Sequence, residues 1–244
     1  MNNQEDTLKR YRYREEPILI TGCARSGTSL VGGVINICGA FGGRMSGPNK
    51  NNQKGMFENA RIRNSVVKPF LRSQGLDDKC QYPLPVAGEL PIPPDWKARI
   101  LTVMTEEGYK EDRQWFYKGA KMCLMWPIWS YAFPNAKWII VRRRPGDIIA
   151  SCIKTSFMNR FRREENQKAV GASDEKEAWR WWIERHEERF IEMIQCGLNV
   201  KIVWPERMVL GDYRQIMETV EWLGLQWNSK ALSFIDPKLW KARK

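Results

Sequence analysis

The stretch Pro17-Ile18-Leu19-Ile20-Thr21-Gly22-Cys23-Ala24-Arg25-Ser26-Gly27-Thr28-Ser29-Leu30-Val31 decides how this chain reads. Residues 17–21 are a short apolar run of strand length. Gly22 and Gly27, five apart, then let the backbone curl so that several N–H groups converge. Thr28-Ser29-Leu30-Val31 opens a helix that ends near Gly39, and a helix N-terminus draws an anion to the same place. Strand, glycine-bounded loop and helix in that order make a phosphate-binding unit. The spacing mimics the nucleotide pattern GxxxxGK[ST], yet Thr28 stands where the lysine belongs. That lysine spans the β- and γ-phosphates, and its absence disfavours ATP hydrolysis and kinase chemistry. The loop carries its cation earlier, at Arg25. Taken alone, the loop also reads as a strand-to-helix turn with no ligand.

Working outward, residues 1–16 are almost wholly polar and are expected as a flexible N-terminal tail, with residues 17–244 as one domain. Residues 58–73 carry a helical stripe of Ile62, Val66, Val67, Phe70 and Leu71. Five prolines in residues 75–94 predict an extended excursion, after which Pro94-Asp95-Trp96 starts a helix reaching about Gly108. Trp115-Phe116-Tyr117 reads as a strand, Pro127 to Phe133 as a short helix and Lys137 to Val141 as a buried strand. Pro145 suits the first turn of the next helix, where its missing N–H costs nothing. A long amphipathic helix spans Asp174 to Cys196, with Asp174 and Glu177 as cap partners and Gly197 as its stop. Val200 to Trp204 is a further strand, and Asp212 is expected to cap a last helix ending at Gly224. Alternating strands and helices predict an α/β fold: a single domain with a mainly parallel central sheet flanked by helices, P-loop NTPase-like in class.

The 244 residues include 43% hydrophobic and 28% charged side chains, a globular composition rather than a disordered or fibrous one. The formal charge of +12 makes something anionic a plausible partner, whether nucleic acid, an acidic membrane surface or a phosphorylated small molecule. Six scattered cysteines, no CxxC pair and one histidine disfavour a zinc site and fit free thiols in a reducing compartment. The longest weakly polar run, Leu30 to Gly43, is too short for a transmembrane segment, and the polar residues 1–16 do not read as a charged-then-apolar leader. A soluble, cytoplasmic protein is expected. No recognised RNA- or DNA-binding module interleaves the basic residues with aromatics, so no nucleic acid partner is expected.

A second motif follows the strand at 137–141: Trp138-Ile139-Ile140-Val141-Arg142-Arg143-Arg144-Pro145-Gly146-Asp147-Ile148-Ile149-Ala150-Ser151. Arg143 would end a strand at the sheet's carboxyl edge, where open α/β folds bind ligands. Ser151 would lie about two turns along the next helix, on the side facing that arginine. A charged bidentate donor and a hydroxyl suit a terminal phosphate. Alone, the arginine triplet also reads as a solvated basic turn. Together the two motifs resemble those of sulfotransferases that use 3′-phosphoadenosine 5′-phosphosulfate (PAPS), bacterial type. The resemblance extends to Lys54-Gly55-Met56-Phe57-Glu58-Asn59, to residues 115–118, 127–129 and 133–138, and to the Leu-Gly-Leu ending of residues 212–225. It covers most of residues 17–240, and its two cofactor motifs are the specific part. Cys23-Ala24 in the loop, the proline-rich excursion and a C-terminus without an Arg-Lys-Gly motif depart from the family pattern.

The resemblance implies transfer of a sulfuryl group from PAPS to a hydroxyl or amine, releasing 3′,5′-ADP, with no metal required. Gly22, Arg25, Ser26, Gly27, Thr28 and Ser29 would hold the 5′-phosphosulfate, and Arg143 and Ser151 the 3′-phosphate. A histidine two residues after a lysine serves as base in many family members; here Lys118 fits the lysine, but the histidine position holds Ala120. Glu58 is the candidate base, which requires either a pKa raised by partial burial or a transition state that needs little proton removal. It is equally readable as a carboxylate starting a helix. Lys118 would stabilise the departing oxygen or orient Glu58, and is otherwise an ordinary strand-end lysine. Arg25, Glu58 and Lys118 form the candidate catalytic set. His186 falls in phase with Trp179, Trp182, Phe190 and Met193 and reads as structural. Core and groove packing accounts for most of the twelve tryptophans, with one left to stack on adenine. Lys154, Arg160, Arg162, Arg163 and Lys168 are a solvated charge run, a lid over the cofactor or a surface for an anionic acceptor. Loops 42–57, 75–95 and 154–172 should face the acceptor, a small molecule, glycan or lipid. The competing readings are a P-loop nucleotide kinase or NTPase-like enzyme, and a non-catalytic nucleotide-binding member of the same fold.

Overall fold

A computed structural model describes residues 2–240 of the chain. Four strands, β1 (Ile18–Thr21), β2 (Phe116–Lys118), β3 (Lys137–Val141) and β4 (Val200–Val203), pair in parallel in the order β2-β1-β3-β4. β1 is central, with Ile18 opposite both Phe116 and Lys137. Among the described residues eleven α-helices surround the sheet: α1 (Asn2–Glu15), α2 (Thr28–Ile37), α3 (Lys68–Ser73), α4 (Trp96–Glu106), α5 (Trp126–Ala132), α6 (Pro145–Lys154), α7 (Glu164–Ala169), α8 (Glu175–Gln195), α9 (Pro205–Val209), α10 (Arg214–Trp222) and α11 (Lys230–Phe234).

Strand side chains alternate between two cores. Ile18, Ile20, Phe116, Ile139 and Val141 pack with α2, α10 and α11. Leu19, Tyr117, Trp138 and Ile140 pack with α3, α4, α5, α6 and α8, around the buried indoles of Trp96, Trp129, Trp179 and Trp182. A sheet covered on both faces needs apolar side chains on both, which is why these strands read as continuous apolar runs. From β1 the chain crosses to β2 on one side and then returns to β3 on the other. The switch point therefore lies between β1 and β3, where ligands enter open α/β sheets.

Three local expectations change. The stretch expected as a tail is helix α1, rich in good helix formers and tied down at its end. Lys97 pairs with Glu15, Arg14 with Glu111 at 3.1 Å, and Trp115 Nε1 donates to Arg14 O at 3.2 Å. The helix expected from residue 58 opens instead with a π-helical turn, Ile62–Val67, that continues into α3. Asn59 Oδ1 accepts from Ile62 N at 2.9 Å, so Asn59 takes the capping role and leaves Glu58 outside the helix. Asp212 Oδ1 accepts from the amide of Arg214, the first residue of α10, at 3.2 Å, and its carboxylate also holds the Arg207 and Arg214 guanidinium groups at 2.6 and 3.0 Å, but this helix is not the last, since α11 follows. At α8 the cap is as expected, since Asp174 Oδ1 accepts from Glu177 N at 2.7 Å. The Glu177 carboxylate reaches Ser173 N–H and hydroxyl rather than the cap's own amide.

Candidate active site

The loop after β1 is locked to the segment after β3. A side chain at Gly22 would run into Val141 O, so the loop lies directly against β3. Arg25 is in the left-handed region at φ 73°, a conformation that costs a non-glycine residue about 1–2 kcal/mol. That turn sends its guanidinium across the switch point. Nε donates to Ser151 Oγ at 2.9 Å and Nη1 to Asn51 O at 3.3 Å. Arg143 Nη1 in turn donates to Arg25 O at 3.1 Å. Arg25, Arg143 and Ser151, 126 residues apart at their extremes, thus form one constellation. Arg25 lies at the Ser151 end of it.

Gly27, at φ 100°, starts α2, and its carbonyl accepts from Leu30 and Val31. Ser26 N–H donates to Cys23 O at 3.1 Å, so it is already engaged within the loop. The amides of Gly27, Thr28 and Ser29 have no acceptor among the described residues and remain for an anion. Ser26 Oγ is buried without a hydrogen-bond partner, while Ser29 Oγ is turned to Met56 O at 3.1 Å. Thr28 is buried at the start of α2.

Trp240 was not singled out by the sequence, where it is one tryptophan of twelve with no local signal. Its ring lies 4.2 Å from the Arg143 guanidinium. It also lies so close to the phosphate loop that a Cβ at Gly27 would meet it at 2.8 Å. Trp240 Nε1 is buried with no partner. Arg143 is itself buried, which lowers its pKa, and Asp147 and Glu206 oppose that shift. A buried guanidinium, two partnerless buried donors (Ser26 Oγ and Trp240 Nε1) and three open amides fit an anionic ligand with more than one acidic group.

Glu58 and Lys118 stand on the other side of α2's first turns. Lys118 ends β2 and Glu58 follows Phe57, which is left-handed at φ 49°. Glycine at position 32 makes room for both, since a Cβ there would lie 3.2 Å from Phe57 Cβ and 3.6 Å from Lys118 Cγ. Glu58 Oε2 accepts from Lys118 Nζ at 3.3 Å and lies 3.9 Å from Arg63 Nη1, with both members of the Lys118 pair buried. Burial pushes the Glu58 carboxyl up, but Lys118, Lys121 and Arg63 outweigh it and hold the pKa below its ordinary value. The expected upward shift is therefore reversed. Burial pulls the Lys118 ammonium down while Glu58 pulls it back.

His186 is buried against Trp182, ring centroids 3.9 Å apart, with Nδ1 2.8 Å from Trp182 O. A carbonyl only accepts, so Nδ1 carries the hydrogen. Burial holds the ring neutral, with its pKa lowered to about 4.

These groups open into one cleft of about 860 Å³. Its walls come from residues 49–58, 79–81 and 154–158, parts of all three loops expected to face the acceptor. Of the basic stretch, Lys154 alone lines the cleft. Arg160 pairs with Asp77, Arg163 with Glu165 and Lys168 with Glu164, and Arg162 donates to Ile153 O. Among the described residues no group of three or more His, Cys, Asp or Glu gathers to hold a metal. No helix among them is long and apolar enough to cross a membrane.

A parallel sheet with a glycine-bounded loop at its switch point and a strand-end arginine beside it defines the class: an open α/β fold. Within it, the architecture is that of the sulfotransferases. Sulfotransferase STF9 from Mycobacterium avium superposes with a TM-score of 0.57 at 12% identity, over 95% of this chain and 69% of that one. The sulfotransferase domain from the curacin biosynthetic pathway superposes with a TM-score of 0.54 at 15% identity, over 90% of this chain and 77% of that one. No protein-family model and no curated protein matches the sequence.

Proposed function

We propose that the protein is a PAPS-dependent sulfotransferase that sulfates a hydroxyl or amine of its acceptor. The observation that carries this reading is the interlock of Arg25, Arg143 and Ser151 across the β1–β3 switch point. A simple nucleoside triphosphate needs a phosphate grip at one end of the nucleotide. PAPS is anionic at both the 5′-phosphosulfate and the 3′-phosphate, and this site has a cradle of amides beside a buried arginine. The kinase reading is disfavoured by Thr28, which replaces the lysine needed across the β- and γ-phosphates.

PAPS, when bound, supplies an activated sulfuryl group and a good leaving nucleotide. The protein's part is positioning and charge stabilisation, as in phosphoryl transfer. The Gly27, Thr28 and Ser29 amides and the positive end of α2 hold the 5′ end. Arg143 and Ser151 hold the 3′-phosphate, with Arg25 bonded to Ser151 beside it. Trp240 covers Gly27 and Arg143 and keeps water from both. Glu58, ionised at neutral pH, accepts the proton of the acceptor hydroxyl at Oε1 or Oε2. Lys118 aligns that carboxylate and places positive charge where the bridging oxygen becomes negative.

The test is turnover of sulfur-labelled PAPS with a panel of hydroxyl and amine acceptors, in parallel with labelled ATP and Mg²⁺. Label transfer accompanied by release of 3′,5′-ADP is expected. Turnover of ATP with none of PAPS would overturn the proposal.

A further inference from the structure

The part of the cleft around Glu58 holds more positive charge than the cofactor motifs account for. Arg63 and Lys118 share Glu58 Oε2, at 3.9 and 3.3 Å. Lys68 Nζ lies 3.8 Å from Asp78 Oδ2, an oxygen that Arg72 also holds. Lys79 and Lys121 line the same cleft, and neither Nζ makes an ion pair or hydrogen bond among the described residues. Five cations thus meet two carboxylates, and one of those carboxylates is further shared with Arg72. Lys121 acts electrostatically on Glu58, Lys68 and Lys118, so it lies close to all three. Lys68 titrates below the usual lysine value, by burial first and then by Lys121 and Arg63, against the pull of Asp78. The largest charge effects on Arg143 come from Asp147, Glu206, Arg25 and Arg144, none of them in the Glu58 group.

The local winding serves this cluster. Residues 63 and 68 of a regular α-helix would stand about 140° apart around the axis, five steps of roughly 100° each. The turn at Ile62–Val67 is π-helical, and its i→i+5 hydrogen bonding brings residues five apart toward one side. Arg63 and Lys68 accordingly both reach the cleft wall. π turns are uncommon and concentrate at functional sites. Packing like charges together without a counterion is unfavourable, whereas a neutral acceptor alcohol gives them nothing to bind.

Building on the sulfotransferase reading, we propose that the acceptor carries an oxyanion of its own (carboxylate, phosphate or sulfate). Lys79 and Lys121 seat that oxyanion, with Arg63 and Lys68 behind them, while the hydroxyl to be sulfated faces Glu58. The binding partners of this subsite are therefore anionic hydroxyl compounds, and their neutral counterparts bind poorly.

Calorimetry on the full chain saturated with 3′,5′-ADP tests this with two matched pairs, glycerol 3-phosphate against glycerol and galacturonate against galactose. Each anion should bind at least tenfold more tightly than its neutral partner, with the advantage shrinking as salt rises. The Lys79→Gln/Lys121→Gln double variant should lose at least tenfold in anion affinity while its Kd for 3′,5′-ADP stays within twofold. That unchanged Kd also shows the variant folded. Equal binding of charged and neutral partners, or anion affinity undiminished in the double variant, would overturn the second anion site and leave the cofactor reading intact. Failure of the parent chain to bind 3′,5′-ADP would remove the cofactor reading, and this acceptor subsite with it.

Discussion

Glu58 keeps its negative charge because three cations surround a carboxyl that burial alone would neutralise. As base it should then work across neutral pH. The acid limb of the kcat/KM profile should lie below about 4.3, the ordinary glutamate value, and a limb at pH 6 to 7 assigned to Glu58 would contradict this. Glu58→Gln should lower kcat more than tenfold (~1.4 kcal/mol) with the KM for PAPS within twofold, because the substitution leaves the phosphate loop untouched. A smaller loss would make Glu58 a partner of Lys118 and nothing more. His186 has a different consequence. Its folded pKa of about 4 lies below the usual 6.5, so on acidification the unfolded chain takes up the proton first. Its neutral burial therefore costs stability as pH falls from about 6.5 to about 4, on the order of 3 kcal/mol in all. Urea titrations at pH 7 and pH 4.5 should show a smaller difference in His186→Gln than in the parent, and an unchanged difference would refute the assignment.

Among the elements, β3 and the strand–loop–helix of β1 and α2 were legible in the sequence because local chemistry dictates them. Lys137–Val141 is an apolar run bounded by turn residues, and Gly22 and Gly27 stand where backbone must approach backbone. The placing of Arg143 after a strand and Ser151 on the next helix was also readable from spacing, whereas the contact that joins them, through Arg25, was not. Other features came only with packing. An apolar stripe over residues 62–71 fits α- and π-winding alike, so the π turn and its presentation of Arg63 and Lys68 left no trace in periodicity. Helix α1 carries no apolar stripe, and its anchors, Lys97, Glu111 and Trp115, are remote in sequence. Burial of Glu58 was foreseen, but the three cations that reverse its pKa come from two separate segments, Lys118 and Lys121 at and just after the end of β2 and Arg63 from the π turn. Trp240 met the same limit, since only the folded chain brings it over Gly27 and Arg143. Its ring–guanidinium contact contributes about 1–2 kcal/mol. Trp240→Ala should therefore weaken 3′,5′-ADP binding about tenfold by calorimetry, with Tm shifted by only a few degrees. Unchanged affinity would make Trp240 a bystander.

For the whole molecule, the sheet order β2-β1-β3-β4 has a simple effect: it opens the switch point between β1 and β3, the strands followed by the Arg25 loop and by Arg143. The +12 charge, which in the sequence fitted nucleic acid, membrane or small-molecule partners equally, is concentrated in part around that opening. The central claim is that one nucleotide is held by main-chain amides at its 5′ end and by a buried guanidinium at its 3′ end. Calorimetry comparing 3′,5′-ADP with 5′-ADP, in the parent chain and in Arg143→Ala, tests it most directly. The account predicts at least tenfold tighter binding of 3′,5′-ADP and loss of that advantage in the variant. Equal affinity for the two nucleotides, or an advantage that survives without Arg143, would contradict it.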